Sequence, residues 1–171
     1  MADNNTKRRP PLAEGVDLLQ LEPQPVLSIR RTIQVAELGN VMGESIPALL
    51  AYLKQWGAQP TGPVFVRYHT FGEIETDLEI GAPVAEQVAG QGTIAAGSLP
   101  GGPAIATWHV GPHNELRTAY ARINAWPNEH GRETGSAAWE EYYWIDPREQ
   151  IDPSTQAGPT TWRTRLVQPL K

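Results

Sequence analysis

Apolar and polar residues in the first half of the chain follow a strand pattern, then a helix pattern, then a strand pattern again. Residues 16–34 are rich in β-branched side chains and contain two prolines, which predicts one long or broken strand. Apolar residues at helical spacing predict a helix over 45–56, and two strands follow at 63–70 and 73–81. The predicted order is strand, helix, strand, strand.

The predicted helix has clear end signals. Ser45 is a candidate N-cap, Pro47 would lie in the first turn, where a missing N–H costs nothing, and Gly57 suits the position after the last turn. The apolar stripe consists of Met42, Ile46, Leu49, Leu50, Leu53 and Trp56. We expect this stripe to pack against a sheet.

The strand at 73–81 alternates between apolar and acidic residues. Ile74, Thr76, Leu78 and Ile80 share one face, and Glu73, Glu75, Asp77 and Glu79 share the other. Antiparallel sheets commonly keep one face in water, so the acidic residues predict a solvated outer face rather than a cation site.

The same order of elements returns in the second half of the chain. Strand-like segments at 93–96 and 104–110 precede a helix predicted over 114–126, and strands are predicted at 137–145 and 160–167. Between the last two strands lies a polar segment, 146–159, which we expect to be a loop.

The second helix carries a proline near its end. Asn114 is its candidate N-cap. Pro127 lacks a backbone donor and its ring clashes with the preceding turn, so we expect a kink or a stop near Trp126. The residues predicted to face inward are Leu116, Ala119, Tyr120, Ile123 and Trp126.

This repetition predicts two copies of a βαββ unit, hence an α+β fold. The repeats extend over about 16–84 and 91–171, within one domain at 16–171 that follows a disordered leader at 1–15. We expect pseudo-twofold symmetry, with both helices on one side of an antiparallel sheet. The groove between the halves is then a natural place for a ligand.

Composition excludes several functions. The chain of 171 residues contains no cysteine, which excludes disulfides, thiolate zinc sites and cysteine nucleophiles and fits a cytoplasmic location. A net charge of −5 disfavours a nucleic-acid partner. No apolar run approaches the length of a membrane span.

Cofactor and metal sites are not predicted either. The glycines at 97–102 do not have the spacing of a P-loop or of a dinucleotide-binding turn. His109 and His113 are separated by Gly111-Pro112, which prevents the helix that would align them on a metal ion.

Six short motifs, in this order, resemble the GyrI-like domain family, the fold also used by the effector domains of AraC-type and MerR-type regulators. They are Gly62-Pro-Val-Phe-Val-Arg-Tyr68-His, Asp77-Leu-Glu-Ile-Gly-Ala-Pro-Val84, Leu99-Pro-Gly-Gly, His109-Val-Gly-Pro-His113-Asn-Glu-Leu116, Glu141-Tyr-Tyr143-Trp-Ile-Asp-Pro147, and the last strand into Pro169-Leu. The resemblance covers roughly residues 16–171. It implies a duplicated βαββ fold around a central aromatic pocket, in which a glutamate matching Glu141 meets cationic or polarised ligands. Some stand-alone members resemble hydrolases that open cyclopropane-containing DNA-alkylating compounds.

The strand around Glu141 carries the candidate chemistry. Successive side chains of a strand point to opposite faces, so Trp139, Glu141 and Tyr143 share one face, and Glu140 and Tyr142 share the other. A carboxylate between aromatic rings is poorly solvated, which raises its proton affinity unless a cation offsets the burial. A flat cationic ligand would supply that charge while stacking on the rings.

Further aromatic residues are candidates for the pocket wall. Trp108 ends the strand before the second helix, Trp162 lies on the last strand, and Phe65 or Tyr68 would contribute from the first half. Tyr120 lies on the apolar stripe of the second helix, where a core position is the alternative.

Three functions fit this pattern. The first is a small-molecule-binding protein for hydrophobic, aromatic or cationic compounds, with a role in drug sequestration or self-resistance. The second is a hydrolase of electrophilic compounds, with Glu141 as general acid or base and Tyr143 as hydrogen-bond donor. The third is a gyrase-inhibitor-like interaction protein that uses the acidic strand. The sequence leaves the oligomeric state open.

Overall fold

The structure is a computed structural model that describes residues 15–145 and 162–171. The predicted loop at 146–159 and nearly all of the predicted leader lie outside these ranges. The described residues form eight strands and two helices. Their bounds are β1 Val16–Leu21, β2 Gln24–Gln34, α1 Leu38–Gln55, β3 Val64–Phe71, β4 Glu75–Pro83, β5 Ile94–Leu99, β6 Gly102–Val110, α2 Arg117–Glu129, β7 Trp139–Tyr142 and β8 Arg163–Pro169.

All eight strands belong to one curled sheet in the order β1-β6-β8-β7-β3-β4-β2-β5, and every pairing is antiparallel. The order is symmetric about the contact between β7 and β3. Strands β2, β3 and β4 with helix α1 correspond to β6, β7 and β8 with helix α2. The predicted α+β duplication with pseudo-twofold symmetry is therefore confirmed.

The two outermost strands extend this symmetry. Strand β5 pairs with β2 at one edge of the sheet, and β1 pairs with β6 at the other. Strand β1 therefore extends the half-sheet that contains β6 and β8, although it directly precedes β2 in the chain. Pro23 lies in the break between these two strands, as the sequence predicts, whereas Pro25 is already the second residue of β2.

Both helices pack on the same face of the sheet, which we call the helix face. Leu49 and Leu53 of α1 pack on Leu27 of β2, and Ile123 of α2 packs on Ile105 of β6. The opposite face has its own buried cluster, formed by Val26, Phe65, Leu99, Ala104, Ala106, Trp139 and Val167. Side chains are thus buried on both faces of the sheet.

Helix α1 begins earlier than the sequence predicts. It starts at Leu38, so Ser45 is a buried residue of the helix interior rather than its N-cap, and Pro47 lies inside the helix rather than in its first turn. The extra turns contain two glycines, which are poor helix formers. Val41 is buried in the core there, and this tertiary burial outweighs the local preference. Gly57 follows the helix with φ of 66°, as predicted.

Helix α2 also differs at both ends. Asn114 lies in a short 3-10 helix, His113–Glu115, and not at the N-cap of α2. The helix runs through Pro127 to Glu129 without stopping at Trp126. Pro127 is buried, so its ring contributes packing that compensates for the missing backbone hydrogen bond.

The acidic strand is only partly solvated. Glu79 accepts a hydrogen bond from Ser28 at 2.7 Å and lies 2.8 Å from the His69 ring nitrogen. Asp77 accepts hydrogen bonds from Arg30. The expected outer face therefore holds an ordered polar network, because β2 and β3 place partners beside β4. Ile74, predicted to be inward-facing, is 76% exposed at the β3–β4 turn.

Candidate functional site

Strand β7 lies at the centre of the sheet and separates two groups of side chains. Glu140 and Tyr142 point to the helix face, where Tyr142 belongs to the core beneath α1. Trp139 points to the opposite face, where it packs with Phe65. The predicted strand at 137–145 is shorter in the structure, because the chain turns at Tyr143.

A cavity of about 760 Å³ opens on the helix face. One wall comes from α2, a second from the start of α1 and the β3–β4 turn, and a third from the segment before β7. The lining residues are Leu38, Tyr68, His69, Phe71, His113, Leu116, Tyr120, Asn124, Thr134, Gly135, Ser136, Ala137, Ala138, Glu140 and Gln168. A space of this size accommodates a drug-sized molecule.

Glu140 is the buried acidic group of this cavity and is only 2% exposed. The Tyr142 hydroxyl lies 3.5 Å from one carboxylate oxygen, and the Tyr120 hydroxyl is a second hydrogen-bond donor to the group. Among residues 15–145 and 162–171, no lysine or arginine forms an ion pair with Glu140. A buried carboxylate without a cationic partner is energetically costly.

Burial dominates the acid–base behaviour of the cavity. It raises the pKa of Glu140 to about 7, although hydrogen bonds from Tyr120 and Tyr142 act in the opposite direction. Burial and the nearby Glu140 charge together raise the pKa of Tyr68 and Tyr120 above the usual range of a phenol. At neutral pH these tyrosines keep their protons, and Glu140 divides between its two protonation states.

His113 lies beside Glu140 without forming a strong ion pair. Its Nε2 atom is 3.7 Å from a Glu140 oxygen, which is too long for a hydrogen bond. Burial, and then the charge of His109, lower the pKa of His113. We therefore describe His113 as a neutral imidazole at pH 7. It does not neutralise Glu140.

Two of the predicted pocket residues, Tyr68 and Tyr120, line the cavity. Tyr68 comes from β3 and Tyr120 from α2, so each half of the duplicated fold contributes one phenol. Tyr120 packs against the core beside α2 and also borders the cavity. Both alternatives that the sequence offers for Tyr120, a core position and a pocket position, therefore apply.

The predicted residues around Glu141 lie on the opposite face. Glu141 accepts hydrogen bonds from Trp139 Nε1 and from the Tyr143 hydroxyl, both at 3.1 Å, and lies 3.8 Å from Arg165. Trp108 packs on the Tyr143 ring at 4.8 Å between centroids. These side chains share a face, as predicted, but the structure does not bring them to the cavity.

Phe65 and Trp162 are also away from the cavity. Phe65 is buried in the opposite-face cluster. Trp162 stacks on Trp144, with ring centroids 4.0 Å apart and planes 7° apart. The Trp144 ring in turn contacts Tyr142, with centroids 5.6 Å apart. Trp162 therefore supports the core behind the cavity.

Sequence reasoning missed Glu140, His113 and Phe71 as cavity residues. Alternation along β7 could have indicated Glu140, because it places Glu140 and Glu141 on opposite faces, but it does not say which of them faces the helices.

Among the described residues, no group of three or more histidine or acidic side chains could hold a metal ion. None of their helices is long and apolar enough to cross a membrane.

Comparisons with known proteins agree with this fold. The model of the GyrI-like small-molecule-binding domain family matches residues 15–170. A comparison with curated protein sequences gives no match. The chain is similar to EcmrR in a complex with DNA, at 20% identity and a TM-score of 0.77, over 92% of this chain and 57% of that chain. It therefore spans little more than half of that EcmrR chain.

Three further solved structures share most of their length with this chain. The EcmrR C-terminal domain is 21% identical with a TM-score of 0.76, over 92% of this chain and 97% of that one. A hydrolase encoded by lin2189 from Listeria innocua is 13% identical with a TM-score of 0.64, over 92% of each chain. SAV2435 bound to tetraphenylphosphonium is 11% identical with a TM-score of 0.57, over 92% of this chain and 94% of that one.

These TM-scores establish a shared fold, and the family assignment rests on the family model, which matches nearly the whole chain. The duplicated βαββ sheet, with its cavity beside the two helices, agrees with that assignment. The chain belongs to the GyrI-like small-molecule-binding domain family.

Proposed function

We propose that this protein binds apolar or aromatic organic cations in the helix-face cavity, with Glu140 as the anionic contact. The observation that carries the proposal is a carboxylate that is 2% exposed and has no lysine or arginine partner among the described residues. A ligand cation would supply the missing charge. By contrast, Glu141 already has Arg165 beside it.

Aromatic rings around Glu140 fit the same class of ligand. Tyr68 and Tyr120 both line the cavity, and the π faces of such rings attract cations. Because the phenols keep their protons at neutral pH, they also offer hydrogen bonds without adding charge. SAV2435, a protein of the same fold, is bound to tetraphenylphosphonium in its structure, which supports this choice of probe. The cellular role that we propose is sequestration of toxic cationic compounds.

Calorimetric titration with tetraphenylphosphonium tests the proposal. We expect Glu140→Gln to weaken binding by about 2–5 kcal/mol, the usual cost of removing one partner from a buried charge pair. Glu141→Gln is the matched control, since it changes the same residue type one position away on the opposite face. Equal affinity in the wild type and Glu140→Gln would contradict the proposal, as would an equal loss in both variants.

A second candidate function is hydrolysis of an electrophilic small molecule, and the Listeria innocua protein of the same fold is named a hydrolase. The observation that favours it is the pKa of Glu140, which burial raises to about 7 beside the Tyr120 hydroxyl. A carboxyl group with this pKa can accept a proton from attacking water or donate one to a leaving group near neutral pH. Tyr120 would then donate a hydrogen bond to the anion that develops.

A further inference from the structure

An irregularity in strand β3 determines what lies at the mouth of the cavity. Residues three apart in a regular strand point to opposite faces. The pairing with β4 shifts between Tyr68 and Thr70, so that His69 is an additional residue in β3. This bulge brings Phe71 to the same face as Tyr68, and the two rings meet edge to face with centroids 5.4 Å apart.

The turn that carries Phe71 is held in place by several hydrogen bonds. Thr76 donates its hydroxyl to the Thr70 carbonyl at 2.8 Å, and Gly72 N–H donates to the Glu75 carbonyl at 2.9 Å. Val35 N–H donates to the Ile74 carbonyl at 2.7 Å, which ties the turn to the segment before α1. Phe71 therefore has a defined position before any ligand arrives.

Phe71 lines the cavity and is nevertheless 62% exposed. Most of this large apolar ring faces water at the cavity mouth, although the hydrogen-bonded turn and the contact with Tyr68 fix its position. Leu38 of α1 lies on the same side of the cavity. The residues at the other end are polar and include Asn124, Thr134, Ser136 and Gln168. The lining contributed by Phe71 and Leu38 is apolar, whereas the neighbouring His69 is polar and lies 2.8 Å from Glu79.

We propose that Phe71, together with Leu38, forms an apolar subsite at the cavity mouth, and that the ligand is an organic cation with an apolar arm. This inference rests on the proposed function, because Glu140 positions the cationic centre. The arm extends from Glu140 past Tyr68 and covers the exposed ring of Phe71. A compact cation leaves that ring in water and gains nothing from it.

The physical consequence is a dependence of affinity on arm length. Each methylene group that moves from water into contact with an apolar surface strengthens binding by up to about fourfold. Removing the Phe71 ring deletes most of that surface while leaving Glu140 and the tyrosines in place. Phe71 is therefore a specificity-determining residue for the arm and not for the charged centre.

The test compares methyl-, butyl- and hexyltriphenylphosphonium, which share one cationic head, by calorimetric titration. In the wild type we expect at least a tenfold gain in affinity from methyl to hexyl. Phe71→Ala should remove most of this gain and change the affinity for the methyl compound by less than about twofold. Phe71→Leu, which keeps an apolar side chain, should restore at least half of the gain on a logarithmic scale.

The matched control is Trp56→Ala. Trp56 is an aromatic residue of similar exposure, 60%, but it follows the last turn of α1, roughly 27 Å along the helix from Leu38. This variant should retain the wild-type dependence on arm length.

Two results would overturn the inference, and they can be distinguished. If the methyl compound binds through Glu140 but the gain with arm length is the same in Phe71→Ala, the subsite is wrong and the proposed function stands. If the methyl compound does not bind, or Glu140→Gln leaves its affinity unchanged, the proposed function and the inference both fail.

Discussion

The side chains of Glu140 and Glu141 lie on opposite faces of β7 and meet different environments. Glu140 borders the cavity, where its hydrogen-bond partners are tyrosine hydroxyls. Glu141 is held by Trp139, Tyr143 and Arg165. The first carboxylate can accept a cationic ligand, whereas the second already has its partners. Substituting each glutamate in turn therefore distinguishes the roles of the two carboxylates.

Binding of tetraphenylphosphonium should strengthen as pH rises from 5 to 8. The cation requires the ionised form of Glu140, and burial raises the pKa of that group to about 7. Well below pH 7, each pH unit should therefore cost up to about tenfold in affinity, and above pH 8 the affinity should level off. Calorimetric titration across this range measures the effect and the proton released on binding.

The Glu140→Gln variant is the control for this pH dependence. Burial lowers the pKa of His113 below its ordinary value, so that side chain is mostly neutral at pH 7 and above and adds little slope there. The affinity of Glu140→Gln should thus be nearly flat between pH 7 and 8.5. A wild-type slope that persists in the variant would assign the titration to another group.

Stability of the ligand-free protein should show the opposite trend with pH. The pKa of Glu140 rises from its ordinary value of 4.5 to about 7 on folding. Its favourable contribution is therefore complete below about pH 4.5 and is lost as pH rises through 7. Relative to Glu140→Gln, the wild type should lose about 2–3 kcal/mol of unfolding free energy between pH 5 and pH 8.

Urea unfolding of both proteins at the two pH values measures this difference directly. Glu141→Gln serves as the control for the substitution itself, because it replaces the same residue type on the opposite face of β7. If the wild type and Glu140→Gln respond to pH in parallel, Glu140 does not have the raised pKa in the folded protein.

If the protein is a hydrolase, its turnover should depend on Glu140 and Tyr120. For an electrophilic cyclopropane compound with a neutral aromatic body, Glu140→Gln should reduce turnover about 10²–10⁴-fold while changing binding only a few-fold. Tyr120→Phe should lower the rate by a smaller factor, because it removes one hydrogen bond to the developing anion. The amount of product formed per protein molecule, with many equivalents of compound present, distinguishes a hydrolase from a binding protein. A wild type limited to one equivalent is a binder and not an enzyme.

Packing between the sheet strands can be tested at Gly81. A methyl group there would overlap a ring carbon of Phe65 and lie 2.9 Å from the Leu27 carbonyl oxygen. Phe65 is buried, so Gly81→Ala should destabilise the protein by about 1–3 kcal/mol in urea unfolding. Gly97→Ala is the matched strand control, because its methyl group would meet only a Val26 methyl at 3.7 Å. Equal stability of the two variants would contradict this packing.

Much of the fold follows from local patterns. Alternation of apolar residues and helical spacing predicts the order of elements in each half, and its repetition predicts the duplicated sheet that the structure shows. Helix ends depend on more distant contacts. The first turns of α1 contain glycines, and α2 contains Pro127, but both segments are helical because neighbouring side chains are buried in the core.

The candidate site shows the same division. Adjacent positions on a strand are enough to predict that Glu140 and Glu141 point in opposite directions, because this follows from the geometry of any strand. Long-range packing places the helices over the face of Glu140, since exchanging the two faces leaves the local pattern unchanged. Likewise, the β3 bulge that brings Phe71 beside Tyr68 arises from the pairing with β4. The local sequence determines which side chains share a face, and long-range packing determines which face becomes the cavity.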